Sequence, residues 1–447
     1  MSIEILPVDN KYNQKLIANV HPTDWVNPKP DGKYNLVVIG GGSAGLVAAS
    51  GSAALGAKVA VIEKGYLGGD CLNYGCVPSK GLIRAAKAAA GVHEAGRFGV
   101  QVPEGVTVDF NTAMNHVRKV RSDIAPHDSA KRYTDLGVDV YLGAARFTGP
   151  NTVEVDGMTL EFNKAMIATG SHPAVIPIPG LAETGFLTNE TIFNLTEQPE
   201  SLAVIGGGPI GSELSQAMQR LGTQVYLIDL ADHILSREDE DAAAIVQDAL
   251  VADGVQLLTG VKTKSIAKGD NGKKVITYEK DGTEYAVEVS EILLAVGRRP
   301  NVEGLGLETA GVQFDKRGIE VNDQLQTTNS NIFAAGDVAV KYQFTHVAGH
   351  SGAIVVQNAL FPFPKRKFSD LIIPWVTYTE PEIAHVGLYP NQAAEDGIEI
   401  DTYKASMASV DRAVTEGETS GFIKVHTAKG SGKILGATIV GTHAGEL

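Results

Sequence analysis

The chain has 447 residues, 43% of them hydrophobic, and 38 basic against 52 acidic side chains leave a net charge of −14. That length allows about three domains at roughly 150 residues each, and the acidic balance excludes nucleic acid as an expected partner. Two cysteines in so long a chain exclude a secreted disulfide scaffold and fit a reducing, cytoplasmic setting.

Residues 1–33 form an extension with early acids and prolines and no secretory leader pattern. Pro28, Pro30 and Gly32 punctuate its end. Its role is not legible, and a packed tail and a flexible leader both fit. Leu36–Ala57 carries no charge and is long enough to span a bilayer. Its glycines (Gly40, Gly41, Gly42, Gly45, Gly51, Gly56) and its strand-then-turn pattern argue against a membrane helix, so no membrane partner is expected.

Leu36–Ile39 reads as a buried parallel strand. Gly40, Gly42 and Gly45 follow with Gly-x-Gly-x-x-Gly spacing and open a helix. The first glycine permits a tight turn, the second lets backbone approach a pyrophosphate, and the third lets helix pack on strand. The helix N-terminus favours the phosphate charge. Lys58–Ile62 is the next strand, and Glu63 stands 18 residues after Gly45, where an acid grips a ribose hydroxyl.

Gly68–Lys80 holds both cysteines, Cys71 and Cys76, with four residues between them, and Lys80 four positions further on. Chance burial of two small apolar side chains is one reading. A structural zinc site is another, but it needs about four ligands, and no second cysteine pair exists. The glycine-rich surroundings favour redox thiols over both, and no metal ligands are assigned.

Leu82–Ala95 and Phe110–Ile124 read as helices, the second stopped by Pro126. Val138–Arg146 reads as a strand, Thr152–Phe162 as a hairpin and Lys164–Gly170 as a further strand. Leu202–Ile205 then leads into Gly206, Gly208 and Gly211, and Asp229 repeats the 18-residue spacing. This internal repeat, offset by 166 residues, implies a second dinucleotide site. A carboxylate at Asp229 favours NAD over NADP, while Arg237 nearby leaves NADP open. Glu213 lies on the first turn of that helix, where a solvated acid is the simplest reading. Val255–Ser290 suggests edge hairpins, Ile292–Val296 a strand, and Ile332–Gly336 a strand ending at Asp337. His346 and His350 are four apart on a helix and are expected to serve packing or cofactor contacts. Phe361–Lys367 reads as a linker, with strands at Phe422–Val425 and Ile434–Val440.

Gly68–Lys80 resembles the redox-disulfide segment of the class I pyridine nucleotide–disulfide oxidoreductases, whose members include glutathione reductase, dihydrolipoamide dehydrogenase and mercuric reductase. Matches run from about Tyr34 to the last residue; Asp411–Ala413 and Gly441–Leu447 are most similar to mercuric reductase. The resemblance implies an α/β fold: two Rossmann-like domains, for FAD (34–170 and 297–366) and NAD(P) (171–296), and an α+β dimer-interface domain (367–447). It implies hydride transfer from NAD(P)H to FAD to a Cys71–Cys76 disulfide, then electron delivery to substrate, with Cys76 against the flavin and Cys71 attacking substrate. Lys80 and Glu213 would pair beside the flavin.

The same resemblance puts Ser43, Lys64, Gly69, Asp70, Ala145, Thr169, Gly170, Ser171, Gly336, Asp337, Phe344 and Thr345 among the FAD contacts, Ile210 beside the nicotinamide nucleotide, and Gly297 among the dinucleotide contacts. The substrate would be a small-molecule disulfide, a dithiol or a metal ion, and the assembly a homodimer. Dihydrolipoamide dehydrogenase is the rival within the family, and a non-catalytic flavoprotein redox sensor the rival outside it. The family's C-terminal His–Glu pair has no counterpart here, and His443 falls too early in the pattern. The interface domain is therefore expected to be truncated.

Overall fold

The computed structural model describes residues 4–447; Met1–Ile3, the start of the expected extension, lie outside the described residues. The strand Tyr34–Ile39 has five of its six residues buried. Each such Val or Ile side chain contributes about 1.5–3 kcal/mol, and that burial fixes the strand centrally. It pairs in parallel with Val59–Glu63 on one side and Met158–Ile167 on the other. Val138–Leu142 continues the parallel sheet beyond Val59–Glu63, and Ile332–Ala334 beyond Met158–Ile167. Thr152–Val155 and Arg146–Gly149 add an antiparallel flank.

Three readings change here. Met158–Ile167 is one strand of ten residues, not the end of a hairpin plus a separate strand. It pairs with Thr152–Val155 through its first half and with Tyr34–Ile39 through its second. Val138–Arg146 is broken after Leu142, where the Gly143 amide turns to the Glu63 carbonyl at 2.8 Å. The helix expected from Leu82 begins at Cys76 and runs to Glu94, because Pro78 lies in the first turn, where its missing N–H costs nothing.

The second glycine motif opens a parallel sheet ordered Gln256–Leu258, Gln224–Ile228, Ser201–Ile205, Glu291–Leu294. An antiparallel meander, Lys262–Lys268, Lys274–Lys280 and Thr283–Val289, lies beside it. Residues from Pro374 onward build a five-stranded antiparallel sheet. Its Lys424 reaches Asp239 at 2.8 Å and Asp241 at 2.6 Å, beside the start of the helix Glu240–Ala252. Among the described residues no helix is long and apolar enough to cross a membrane. The uncharged stretch 36–57 is a strand, a glycine turn and the helix Ser43–Ala54.

Candidate redox and dinucleotide site

The two glycine turns are built alike. Gly40 has φ +109° and Gly206 φ +111°, in the region that favours glycine. A Cβ on Gly45 would lie 1.9 Å from the Gly40 carbonyl oxygen, and one on Gly211 would lie 1.8 Å from that of Gly206. Glycine at the third position therefore sets how closely each helix packs on its strand. The second glycine differs: nothing stands within 4 Å of a Cβ on Gly208, and only the Gly69 backbone stands within 4 Å of one on Gly42. Each turn leaves open space at a helix N-terminus, which fits a dinucleotide pyrophosphate.

The acids also match. Glu63 accepts from the Gly41 and Gly65 amides, both at 2.6 Å, and Asp229 from Gly207 at 2.5 Å and Ala231 at 2.7 Å. Burial pushes the Glu63 carboxyl up, opposed by its two amide donors. Ser43 opens the helix Ser43–Ala54, Ile210 is the second residue of the helix Pro209–Arg220, and Ala145 lies in the break after Gly143.

The redox segment folds onto the first turn. Gly68 donates to the Gly41 carbonyl at 2.8 Å, and a Cβ on Gly69 would come within 2.7 Å of Gly42 Cα. Cys71 lies on the short helix Gly69–Asn73, and Cys76 is the first residue of the next helix. Both thiols are free and hydrogen-bond to one another. The Thr345 hydroxyl, on the first residue of the helix Thr345–Leu360, stands 3.1 Å from Cys76 Sγ, with Phe344 capping that helix.

This setting splits the pair. The hydrogen bond to Cys71 pulls the Cys76 thiol down to about 6, against burial, with Thr345 and the Lys80 charge helping. The bond to Cys76, with burial, pushes Cys71 up. Cys76 is thus the thiol favoured to ionise first. Alkylation of the reduced protein by iodoacetamide should titrate with an apparent pKa of about 6, from Cys76, rather than near 9. A depressed folded-state pKa adds stability that is complete above pH 9 and is lost as pH falls through about 6. Reduced protein should therefore lose denaturant resistance across that window relative to Cys76→Ser.

Lys80 Nζ meets Glu213 Oε2 at 2.8 Å, joining the redox helix to the second glycine helix. Burial alone would lower the lysine; the Glu213 charge and hydrogen bond raise it instead. Glu213 is 6% exposed and also accepts from the Tyr378 amide at 2.9 Å, while the Tyr378 ring lies 4.3 Å from Lys80 Nζ. Tyr378 belongs to the C-terminal region, so all three parts of the chain meet here.

Asp337 follows the strand Ile332–Ala334 and accepts from Ser171 Oγ at 2.6 Å. Burial pushes its carboxyl up despite Ser171 and Arg298. Gly336 approaches Ala44 of the first glycine helix. Thr169 and Gly170 bond to Asn301, and the Gly297 carbonyl accepts from Ala174. His346 stacks on Phe344 and its Nε2 lies 2.7 Å from the Pro374 carbonyl. Lys64 acts on the site through its charge, which draws the Glu63 carboxyl down.

Arg298 was not foreseen as a site residue. Its guanidinium meets Asp70 at 3.1 Å and Ser171 at 2.7 Å and lies 3.8 Å from Asp337, joining the redox segment to both FAD-site strands. The only signal was the pair of arginines in Gly297–Asn301, a stretch that reads as a backbone crossing. Asn189, which donates to Asp70 at 3.1 Å, carried no signal at all.

Two dinucleotide turns and a thiol pair of split acidity define a two-nucleotide redox protein. Residues 34–352 match the family model for pyridine nucleotide-disulphide oxidoreductase, and residues 373–447 match its dimerisation domain. A mercuric reductase of Staphylococcus aureus is 37% identical over 93% of this chain and 76% of its own length. A dihydrolipoyl dehydrogenase of Bacillus subtilis is 33% identical over 93% and 90%. The solved structure of the HOCl-induced flavoprotein disulfide reductase RclA from Escherichia coli superposes with a TM-score of 0.81 at 28% identity, covering 92% of this chain and 91% of that one. The chain belongs to the pyridine nucleotide-disulphide oxidoreductase family, flavin-dependent enzymes that use FAD and NAD(P)H.

Proposed function

We propose that this protein uses NAD(P)H to reduce a small-molecule disulfide or mercuric ion through Cys71 and Cys76. The carrying observation is the Cys71 and Cys76 pair at the base of the helix that bears Lys80, folded onto the first glycine turn. Bound FAD supplies a two-electron relay between nicotinamide and sulfur. For a disulfide substrate, NAD(P)H and one proton become NAD(P)⁺ while the substrate disulfide becomes two thiols. Cys71, the protonated partner, attacks one sulfur of the substrate disulfide: the Cys71–substrate bond forms as the substrate S–S bond breaks, and the first substrate thiol leaves with the Cys71 proton. Cys76 then attacks Cys71, releases the second substrate thiol and re-forms the Cys71–Cys76 bond. Thr345 holds the Cys76 thiolate, and Glu213 keeps Lys80 charged beside it.

Residues 34–170 and 297–366 are assigned to FAD, 171–296 to the nicotinamide nucleotide and 367–447 to the interface domain of a homodimer; strand membership of the sheets supports this division. FAD contacts are assigned to Gly40, Gly42, Ser43, Gly45, Glu63, Lys64, Gly69, Asp70, Ala145, Thr169, Gly170, Ser171, Gly336, Asp337, Phe344 and Thr345. A cytoplasmic setting fits the free thiols. Dihydrolipoyl dehydrogenase chemistry is the second reading, favoured by the relatives of that name and by Asp229, whose carboxylate repels a 2′-phosphate.

The test is visible absorption during anaerobic titration with NADH, then NADPH. A long-wavelength thiolate-to-flavin band on reduction is expected, with NADH the better donor. Flavin that bleaches without the band overturns the thiol route. Turnover with lipoamide, oxidised glutathione or mercuric ion then separates the substrates.

A further inference from the structure

The family match begins at residue 34, and nothing in it accounts for the segment before. That segment is packed. Its helix Lys11–Val20 buries Asn13, Leu16 and Val20 completely, and Ile5, Leu16 and Val20 share a core with the strands Tyr34–Ile39 and Val59–Glu63.

Several of its polar contacts reach residues 63–73, beside others that tie it to Asn115, Asp123 and Asn194. Val20 O accepts from the Leu67 amide at 3.1 Å. His21 Nδ1 lies 2.5 Å from the Gly65 carbonyl, and since a carbonyl only accepts, Nδ1 carries the proton. Gly65 in turn donates to Glu63 at 2.6 Å. At the other end Arg121, 1% exposed, donates to Asn13 Oδ1 at 3.2 Å and to the Asn73 carbonyl at 2.9 Å. Asn73 closes the short helix that holds Cys71, and its amide donates to Leu67 O at 3.1 Å and Gly69 O at 2.8 Å. Further ties, from Trp25 and Asn27, brace the sheet edge beside Glu63. Trp25 Nε1 donates to Val140 O at 3.2 Å, and Asn27 both donates to and accepts from the Leu142 backbone.

We infer that residues 4–33 are a positioning brace for the flavin site, fixing the loop 63–73 at the Glu63 end through His21 and at the Cys71 end through Asn13 and Arg121. This rests on the assignment of FAD to that loop. An arm that only stabilised the domain would need the same buried leucine and valine, but it would not need a histidine on Gly65 or an asparagine on the arginine that holds Asn73. Because the loop carries the ribose acid at one end and the thiol at the other, loosening it should act on cofactor affinity.

The test compares His21→Ala, Asn13→Ala and the rescue variant His21→Asn, whose amide can donate from nearly the same point. For the full chain, stripped of FAD and titrated with it, the FAD dissociation constant comes from flavin fluorescence and the melting temperature is read with and without FAD. The expected result is FAD bound about tenfold more weakly in each alanine variant, so that FAD raises their melting temperature less than it raises wild type. His21→Asn should return to within about threefold of wild type. Equal melting losses with and without FAD, at unchanged affinity, make the arm a plain stabiliser and overturn the brace. If one alanine variant does not fold, the other and His21→Asn carry the same comparison. A wild-type chain that binds no FAD overturns the FAD assignment as well.

Discussion

Cys76→Ser is expected to abolish NAD(P)H-driven reduction of every disulfide or metal substrate while leaving FAD bound. The variant exchanges sulfur for oxygen at the first residue of the helix Cys76–Glu94, a change of small volume that leaves the helix and its packing in place. It removes the one side chain that lies against Thr345 and also pairs with Cys71. A serine hydroxyl is not ionised at neutral pH and cannot form the Cys71–Cys76 bond. The loss should reach about 10³-fold or more, as for removal of a nucleophile elsewhere. The long-wavelength band on reduction should vanish, because its donor is the thiolate. Cys71→Ser should differ: turnover is lost, but Cys76 remains beside Lys80 and Thr345, and its band should persist even without reductant. The measurement is paired absorption spectra and turnover. Retained disulfide reduction in Cys76→Ser, or a band that follows Cys71 instead, would reverse the roles of the two sulfurs.

That asymmetry between two nearby cysteines was not readable from their spacing. The sequence places them five positions apart, but the split comes from their mutual hydrogen bond in the fold, with Lys80, held by Glu213 133 positions away, favouring the Cys76 thiolate. Long-range partners of this kind leave no local trace, which is also why Arg298 and Asn189 escaped notice. What was legible is what local physics dictates. Leu36–Ile39 and Leu202–Ile205 are buried throughout, so they read as unbroken apolar runs, and the glycines after them are demanded by close approaches within the turn. Met158–Ile167 escaped for the same reason inverted. Its first half alternates buried and exposed residues beside Thr152–Val155, and its second half is buried between Tyr34–Ile39 and Ile332–Ala334. One strand thus carries two periodicities and looks like two elements. The N-terminal arm is a third case, since its helix is short and its anchoring groups, Asn13 and His21, are polar.

The repeated glycine turn permits a test of which nucleotide each half serves. Gly211→Ala puts a Cβ 1.8 Å from the Gly206 carbonyl oxygen, and Gly45→Ala puts one 1.9 Å from that of Gly40. Neither contact involves a flexible side chain that could swing away, so helix and turn must separate. Overpacking of this kind costs about 1–3 kcal/mol or more in general, and here it falls on the surface that would meet a pyrophosphate. Gly211→Ala should therefore keep its flavin and its thiol band when reduced with dithionite, yet accept electrons from NADH about 100-fold less efficiently, equivalent to about 2.7 kcal/mol of lost transition-state stabilisation. Lys80 could feel the displaced helix through Glu213, two residues beyond Gly211, so the band is the control that its setting survives. Gly45→Ala should give the mirror result, a chain with native secondary structure that is isolated without flavin and has no electron entry to lose. Flavin content, dithionite spectra and NADH-driven reduction on both variants decide it. If Gly211→Ala loses flavin while Gly45→Ala keeps it, the two turns have been given the wrong cofactors. If both keep flavin and NADH activity, the close approaches at the third glycines do not govern nucleotide binding in either half.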